Sequence, residues 1–88
     1  MNAILTVYGQ DKVGIIAQTS TYLAEQKINI LDVSQTIMGN NFVMMMSVQL
    51  PKGADFMVIN QGLAQIAKNL SVEINLRNNE LYDAMHQI

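Results

Sequence analysis

Residues 28–50 read INILDVSQTIMGNNFVMMMSVQL, and this stretch decides the fold. Two runs rich in branched and apolar residues, Ile28–Met38 and Asn41–Leu50, flank the dipeptide Gly39-Asn40, which is typical of two-residue hairpin turns. The stretch therefore predicts a β-hairpin. Alternate residues of a strand share a face, and one face of the second run is assigned to the core. That face carries Phe42, Met44, Met46, Val48 and Leu50.

Each arm of the hairpin is joined to a helix and a further strand. On the N-terminal side, Asn2–Tyr8 alternates with the period of a strand, and Val13–Gln26 has helical spacing after Asp11, a good helix cap. On the C-terminal side, Asp55–Leu70 carries an apolar stripe that repeats at three and four residues. Residues 72–76 then alternate again, which predicts the last strand.

The order strand, helix, strand therefore occurs twice in one chain of 88 residues, which is too short for two independent cores. We predict an α+β fold, a ferredoxin-like βαββαβ sandwich that spans residues 1–88 as a single domain. Right-handed crossovers place strands one and three in the middle of a four-stranded antiparallel sheet and both helices on one face. A short C-terminal helix, capped by Asn78 or Asn79, is predicted to carry Leu81, Ala84, Met85 and Ile88.

The second face of this sheet is left without cover from the two main helices. It includes the apolar residues Ile4, Tyr8, Val43 and Met45, and so much apolar surface is rarely left in water. The terminal helix can cover part of the face, and a second copy can cover more or pair along edge strand two. We therefore predict a homodimer.

The composition excludes several classes of function. The five Lys and Arg residues are scattered and the formal net charge is −2, which argues against nucleic-acid binding. No apolar run approaches the roughly 20 residues that span a bilayer. The chain has no cysteine, so disulfides, thiolate catalysis and cysteine-ligated metals are excluded. The N-terminus lacks the features of a signal peptide, so we expect a soluble cytoplasmic protein. We also expect no metal or other cofactor.

The most informative segment for function is the strand-to-helix junction Tyr8–Ile15. Free backbone N–H groups point outward at a helix start, and the absence of a side chain at Gly14 lets a ligand carboxylate approach them. Close packing of the helix on the sheet explains the same glycine equally well. A second candidate is Asn29, whose amide suits the ammonium and carboxylate of an amino acid, although a polar residue at an edge strand is the plainer explanation.

The run from strand one through Asp11-Lys12-Val13-Gly14-Ile15 to Ile28-Asn29-Ile30 resembles an ACT domain, and the resemblance covers nearly the whole chain. The ending Glu80-Leu81-Tyr82-Asp83-Ala84-Met85-His86 further resembles a small group of stand-alone bacterial ACT proteins.

The resemblance implies a ligand, commonly an amino acid, held between the first strand-helix loop of one subunit and the second strand of its neighbour. Asp11 and Asn29 fall where the family has polar ligand contacts, and Gly14 matches the family's glycine. Several ligand-binding ACT domains carry an amide at the position of Asp11, and proline is frequent in the family at the position of Val13. A carboxylate at Asp11 repels a ligand carboxylate but pairs with an ammonium group.

We expect no enzyme, because the serines lie in ordinary helix or strand contexts without a base, and His86 with Asp83 lacks converging partners. The sequence predicts a homodimeric regulatory module that binds an amino-acid-type ligand and acts on an unidentified regulated protein. The alternative is a dimeric interaction module without a ligand. The predicted ligand-binding residues are Gln10, Asp11, Lys12, Val13, Gly14 and Asn29.

Overall fold

The computed structural model describes residues 2–78. The elements in chain order are β1 Asn2–Gly9, α1 Lys12–Glu25, β2 Asn29–Met38, β3 Asn41–Gln49, α2 Phe56–Leu70 and β4 Glu73–Asn78. This is the predicted ferredoxin-like βαββαβ fold, and the ends of the hairpin strands and the two helices lie within one residue of their predicted positions. The predicted C-terminal helix lies outside the described residues.

The four strands form one antiparallel sheet in the order β2-β3-β1-β4. The two central strands pair along their whole length, from Asn2 opposite Gln49 to Gly9 opposite Phe42. The outer strand β4 pairs with β1, and the outer strand β2 pairs with β3. The predicted strand order is confirmed, and it puts the end of β1 beside the start of β4.

The core lies between the helices and one face of the sheet. Both helices contribute to it, since Ile15 and Leu23 of α1 and Ile59 and Leu63 of α2 are buried. The face of β3 that was assigned to the core is buried throughout. The buried core residues are Ala3, Leu5, Val7, Ile15, Leu23, Ile28, Phe42, Met44, Met46, Val48, Leu50, Ile59, Leu63 and Leu76. No helix among residues 2–78 is long and apolar enough to cross a membrane.

Strand β2 is exposed along all of its ten residues, because it forms a sheet edge that the helices do not cover. Its register against β3 is irregular between Ile30 and Asp32. On the side that faces the helix layer it carries Ile30, Val33 and Ile37, which are 41%, 43% and 66% exposed. An apolar strip along a free edge is the kind of surface that another strand or subunit covers.

The two helices cross at a contact that requires a glycine. The Tyr22 hydroxyl of α1 donates a hydrogen bond to the backbone carbonyl of Ile59 at 3.2 Å. A Cβ at Gly62 would collide with the Tyr22 ring and its hydroxyl, so the glycine makes room for the tyrosine to lie across α2. Burial, with a smaller contribution from the nearby Glu25 carboxylate, raises the pKa of Tyr22.

The raised pKa makes the contribution of Tyr22 to stability depend on pH in the alkaline range. Because the pKa of Tyr22 is higher in the folded than in the unfolded chain, its contribution is fully present below about pH 10 and is lost as the pH rises further. Tyr22→Phe is expected to cost about 0.5–1.5 kcal/mol at neutral pH, the value of one hydrogen bond. In urea unfolding that cost should stay constant up to about pH 10 and shrink above it; a cost that does not change with pH would contradict the prediction.

Candidate functional site

The β1–α1 turn is held by the side chain of Asp11, which caps α1. Its Oδ1 accepts a hydrogen bond from the backbone N–H of Gly14 at 3.0 Å. Its carbonyl accepts from the N–H of Ile15 at 2.9 Å, and the N–H of Lys12 bonds to the carbonyl of Gln10 at 3.1 Å. The carboxylate of Asp11 therefore already occupies a place that a ligand carboxylate at this helix start was expected to take.

Gly14 is explained by the same cap. A Cβ at this position would lie 2.9 Å from Cγ of Asp11 and closer still to one of its oxygens, and no sheet atom is among the nearest neighbours. The glycine therefore makes room for the capping carboxylate, which is a third explanation beside ligand access and helix-on-sheet packing. A side chain here would displace the cap.

Lys12 and Val13 lie in different surroundings. The Nζ of Lys12 lies 5.7 Å from the centroid of the Phe42 ring, a distance typical of a cation–π contact. Val13 is 77% exposed and is free to contact a second molecule. Neither residue lines the cleft described next.

A cleft of about 620 Å³ opens where β1 ends and β4 begins. Its lining comes from the end of β1 and the β1–α1 turn, the first residue of β3, and the segment that joins α2 to β4. The volume falls in the range of small-molecule sites. The residues that line it are Tyr8, Gly9, Gln10, Asp11, Asn41, Leu70, Ser71, Val72 and Glu73.

The electrostatics of this cleft favour a positive group. Two acidic residues, Asp11 and Glu73, line it, and no lysine or arginine from the described residues does. The C-terminal end of α2, the negative end of a helix dipole, also borders the cleft at Leu70 and Ser71. An ammonium group is therefore better suited to this cavity than a carboxylate.

Asn29 lies far from the turn within one chain. It is exposed at the first position of β2, opposite Gln49, and Gln49 in turn pairs with Asn2 at the start of β1. Asp11 follows the other end of β1, so the two residues are separated by roughly 24 Å along the strands, about seven residues of 3.4 Å each. One chain alone does not bring them together.

Sequence reasoning identified Gln10 and Asp11 in the cleft but missed the wall made by residues 70–73. The signal for that wall was present in the topology. Because β4 runs antiparallel to β1, the segment before β4 has to lie beside the end of β1. Ser71, which ends α2 in a left-handed conformation, turns the chain into that position.

Within residues 2–78, no group of three or more His, Asp or Glu side chains is placed to hold a metal ion.

The fold and the cleft define a small βαββαβ module with a ligand-sized cavity at its first strand-helix turn. The family model for the ACT domain matches residues 2–77. A UPF0237 protein from Listeria monocytogenes is 44% identical over 89 residues, with all of both chains covered. The chain belongs to the ACT domain family.

Solved structures agree with this assignment. The ACT domain protein from Streptococcus pneumoniae superposes with a TM-score of 0.84 at 36% identity, covering 93% of each chain. The regulatory subunit of aspartate kinase from Thermus thermophilus has the same fold, with a TM-score of 0.67 at 24% identity over 88% of this chain and 50% of that one. ACT domains are regulatory ligand-binding modules.

Proposed function

We propose that this protein is a homodimeric regulatory module that binds a small amino-acid-type ligand and acts by binding rather than by catalysis. The observation that carries the proposal is the cleft beside Asp11, at the turn where the sequence predicts the ligand. The output passes to a separate regulated protein, through a ligand-dependent preference for one arrangement of the dimer.

The ligand is oriented by charge. Its ammonium group faces the carboxylates of Asp11 and Glu73, which share the cleft. Its own carboxylate points out of the cleft, away from these two side chains, because Asp11 already accepts the N–H of Gly14 at the start of α1. This orientation leaves the capping bond from Gly14 to Asp11 intact.

The dimer forms along the free edge of β2. In an antiparallel pairing of two β2 strands about a two-fold axis, the start of one strand lies beside the end of the other. Asn29 of the partner subunit then reaches the end of the sheet at which Asp11 lies. The apolar side chains Ile30, Val33 and Ile37 gain cover in the same step.

Thermal-shift screening against the common amino acids tests the ligand. At a hundred times its dissociation constant, a true ligand adds about 2.7 kcal/mol of stability to the folded protein. Asp11→Asn is the matched variant, because asparagine caps a helix as well as aspartate does but carries no charge. We expect the shift to disappear in Asp11→Asn while the stability without ligand stays close to that of the wild type.

Two further variants locate the ligand once a shift is found. Glu73→Gln removes a charge from the cleft wall within one chain, whereas Asn29→Ala removes the contact expected from the partner subunit. Loss of the shift in both variants supports a ligand that joins cleft and interface. A shift that survives Asp11→Asn, Glu73→Gln and Asn29→Ala would contradict the proposed site.

A second candidate function is a dimeric interaction module without a ligand. The observation in its favour is the large exposed apolar surface on β2 and on the uncovered sheet face. The same screen separates the two functions, because an interaction module shows no thermal shift with any amino acid.

A further inference from the structure

The sheet face opposite the helices, here called the open face, has an apolar centre. Ile4 and Val43 are half-buried, and Tyr8 and Met45 are 44% and 43% exposed. All four lie on the two central strands, where Tyr8 is directly opposite Val43. Met45 is opposite Thr6 and diagonal to Ile4, whose own partner is Ser47. Diagonal neighbours on a sheet face are within reach of long side chains, so the four residues form one apolar patch that also includes Thr6 and Ser47. An apolar patch on a small protein marks a surface that something covers.

The described part of the chain ends next to this patch. The last residue of β4, Asn78, pairs with Ala3, and the residue before it, Arg77, pairs with Ile4 on the open face. Ten residues, 79–88, follow. Neighbouring strands are about 4.8 Å apart, so two or three residues are enough to lead from edge strand β4 onto the central strand β1.

The sequence of residues 79–88 has the pattern of an apolar cover. Leu81, Met85 and Ile88 recur at intervals of four and three, with Ala84 beside them, while Glu80, Asp83, His86 and Gln87 lie between. A helix over the last eight residues is about 12 Å long. The patch from Ile4 to Tyr8 is about 13 Å long, so the two lengths match.

Charge and covalent attachment both favour residues 79–88, rather than a second molecule, as the cover of the open face. Arg77 is exposed on the open face beside Ile4, at the point where the acidic residues Glu80 and Asp83 follow in the chain. A segment attached by two residues also has an effective concentration near the patch in the millimolar range or above. A second copy of the chain has to compete with that local concentration.

We propose that residues 79–88 fold back over the open face and bury its apolar centre, with Leu81, Met85 and Ile88 against Ile4, Val43 and Met45. Residues 1–88 then form one domain, and the β2 edge is left as its free apolar surface. This inference does not depend on the proposed ligand.

The absence of cysteine makes the test direct, since a single introduced thiol is the only one in the chain. Met45→Cys places it in the centre of the open face, and Gln61→Cys places a reference thiol on the exposed side of α2. Each is combined in the full-length chain with Leu81→Asn and Met85→Asn, or with the control pair Glu80→Gln and Gln87→Asn. Iodoacetamide labelling rates are then measured at several protein concentrations.

We expect the Met45→Cys thiol to label at least about tenfold faster when Leu81 and Met85 are replaced, because the cover is lost. The control pair and the reference thiol should show no change, and circular dichroism should show the same folded spectrum throughout. Labelling of Met45→Cys as fast as the reference thiol in the otherwise unchanged chain would overturn the proposal. Protection that grows with protein concentration and survives the Leu81 and Met85 changes would also overturn it, in favour of a second copy.

Discussion

Adding one methyl group at Gly9 is expected to lower the free energy of unfolding by about 1–3 kcal/mol, the usual cost of overpacking a filled site. A Cβ on Gly9 would lie 2.8 Å from the Cβ of Val72 and 3.2 Å from Cδ1 of Ile15, and closer still to a methyl group of Val72. The Cβ of Val72 is fixed to the backbone, so it cannot move without shifting the chain that leads into β4. Urea unfolding of Gly9→Ala measures the loss.

A substitution at Val72, alone and combined with Gly9→Ala, serves as the control. Val72→Ala removes the methyl group nearest to the new side chain but leaves its Cβ in place, so Gly9→Ala combined with Val72→Ala should recover only part of the loss. In a double-mutant cycle the two changes are then less than additive. If their costs simply add, the methyl contact is not the cause, and the glycine serves some other purpose at the mouth of the cleft.

The contact between Gly9 and Val72 shows which features of this fold the sequence patterns could predict and which they could not. Alternation in Asn2–Tyr8, the turn at Gly39-Asn40 and helical spacing in Asp55–Leu70 are repeated local signals, and together with the handedness of crossovers they predicted the order of the strands. The contact between Gly9 and Val72 joins residues 63 positions apart along the chain. No local period marks it, so the wall of the cleft was not predicted.

Gly14 illustrates a second limit. A glycine near a helix start has the same sequence signature whether it admits a ligand, the sheet or a capping side chain, because each requires only the absence of a Cβ. Only the position of the Asp11 carboxylate distinguishes these uses. Edge strand β2 shows the same limit, since its apolar residues were visible in the sequence but their lack of cover by α1 was not.

The exposed apolar side chains of β2 lead to a prediction about self-association. Ile37→Lys is expected to weaken self-association about a hundredfold or more while leaving the stability of the single subunit almost unchanged. Ile37 is 66% exposed in one chain, so a charge there costs little until the strip is covered. Burying a side chain of this size contributes about 1.5–3 kcal/mol, and a two-fold dimer contains it twice, so the loss is about 3 kcal/mol at the lower end.

The neighbouring residue is the matched control. Thr36 lies on the same edge strand and is also exposed, but it pairs with Val43 and so faces the opposite side of the sheet. Analytical ultracentrifugation should find Thr36→Lys dimeric and Ile37→Lys largely monomeric at the same micromolar concentration. The reverse result would place the interface on the open face, and would thereby contradict both the β2 dimer and the intramolecular cover by residues 79–88.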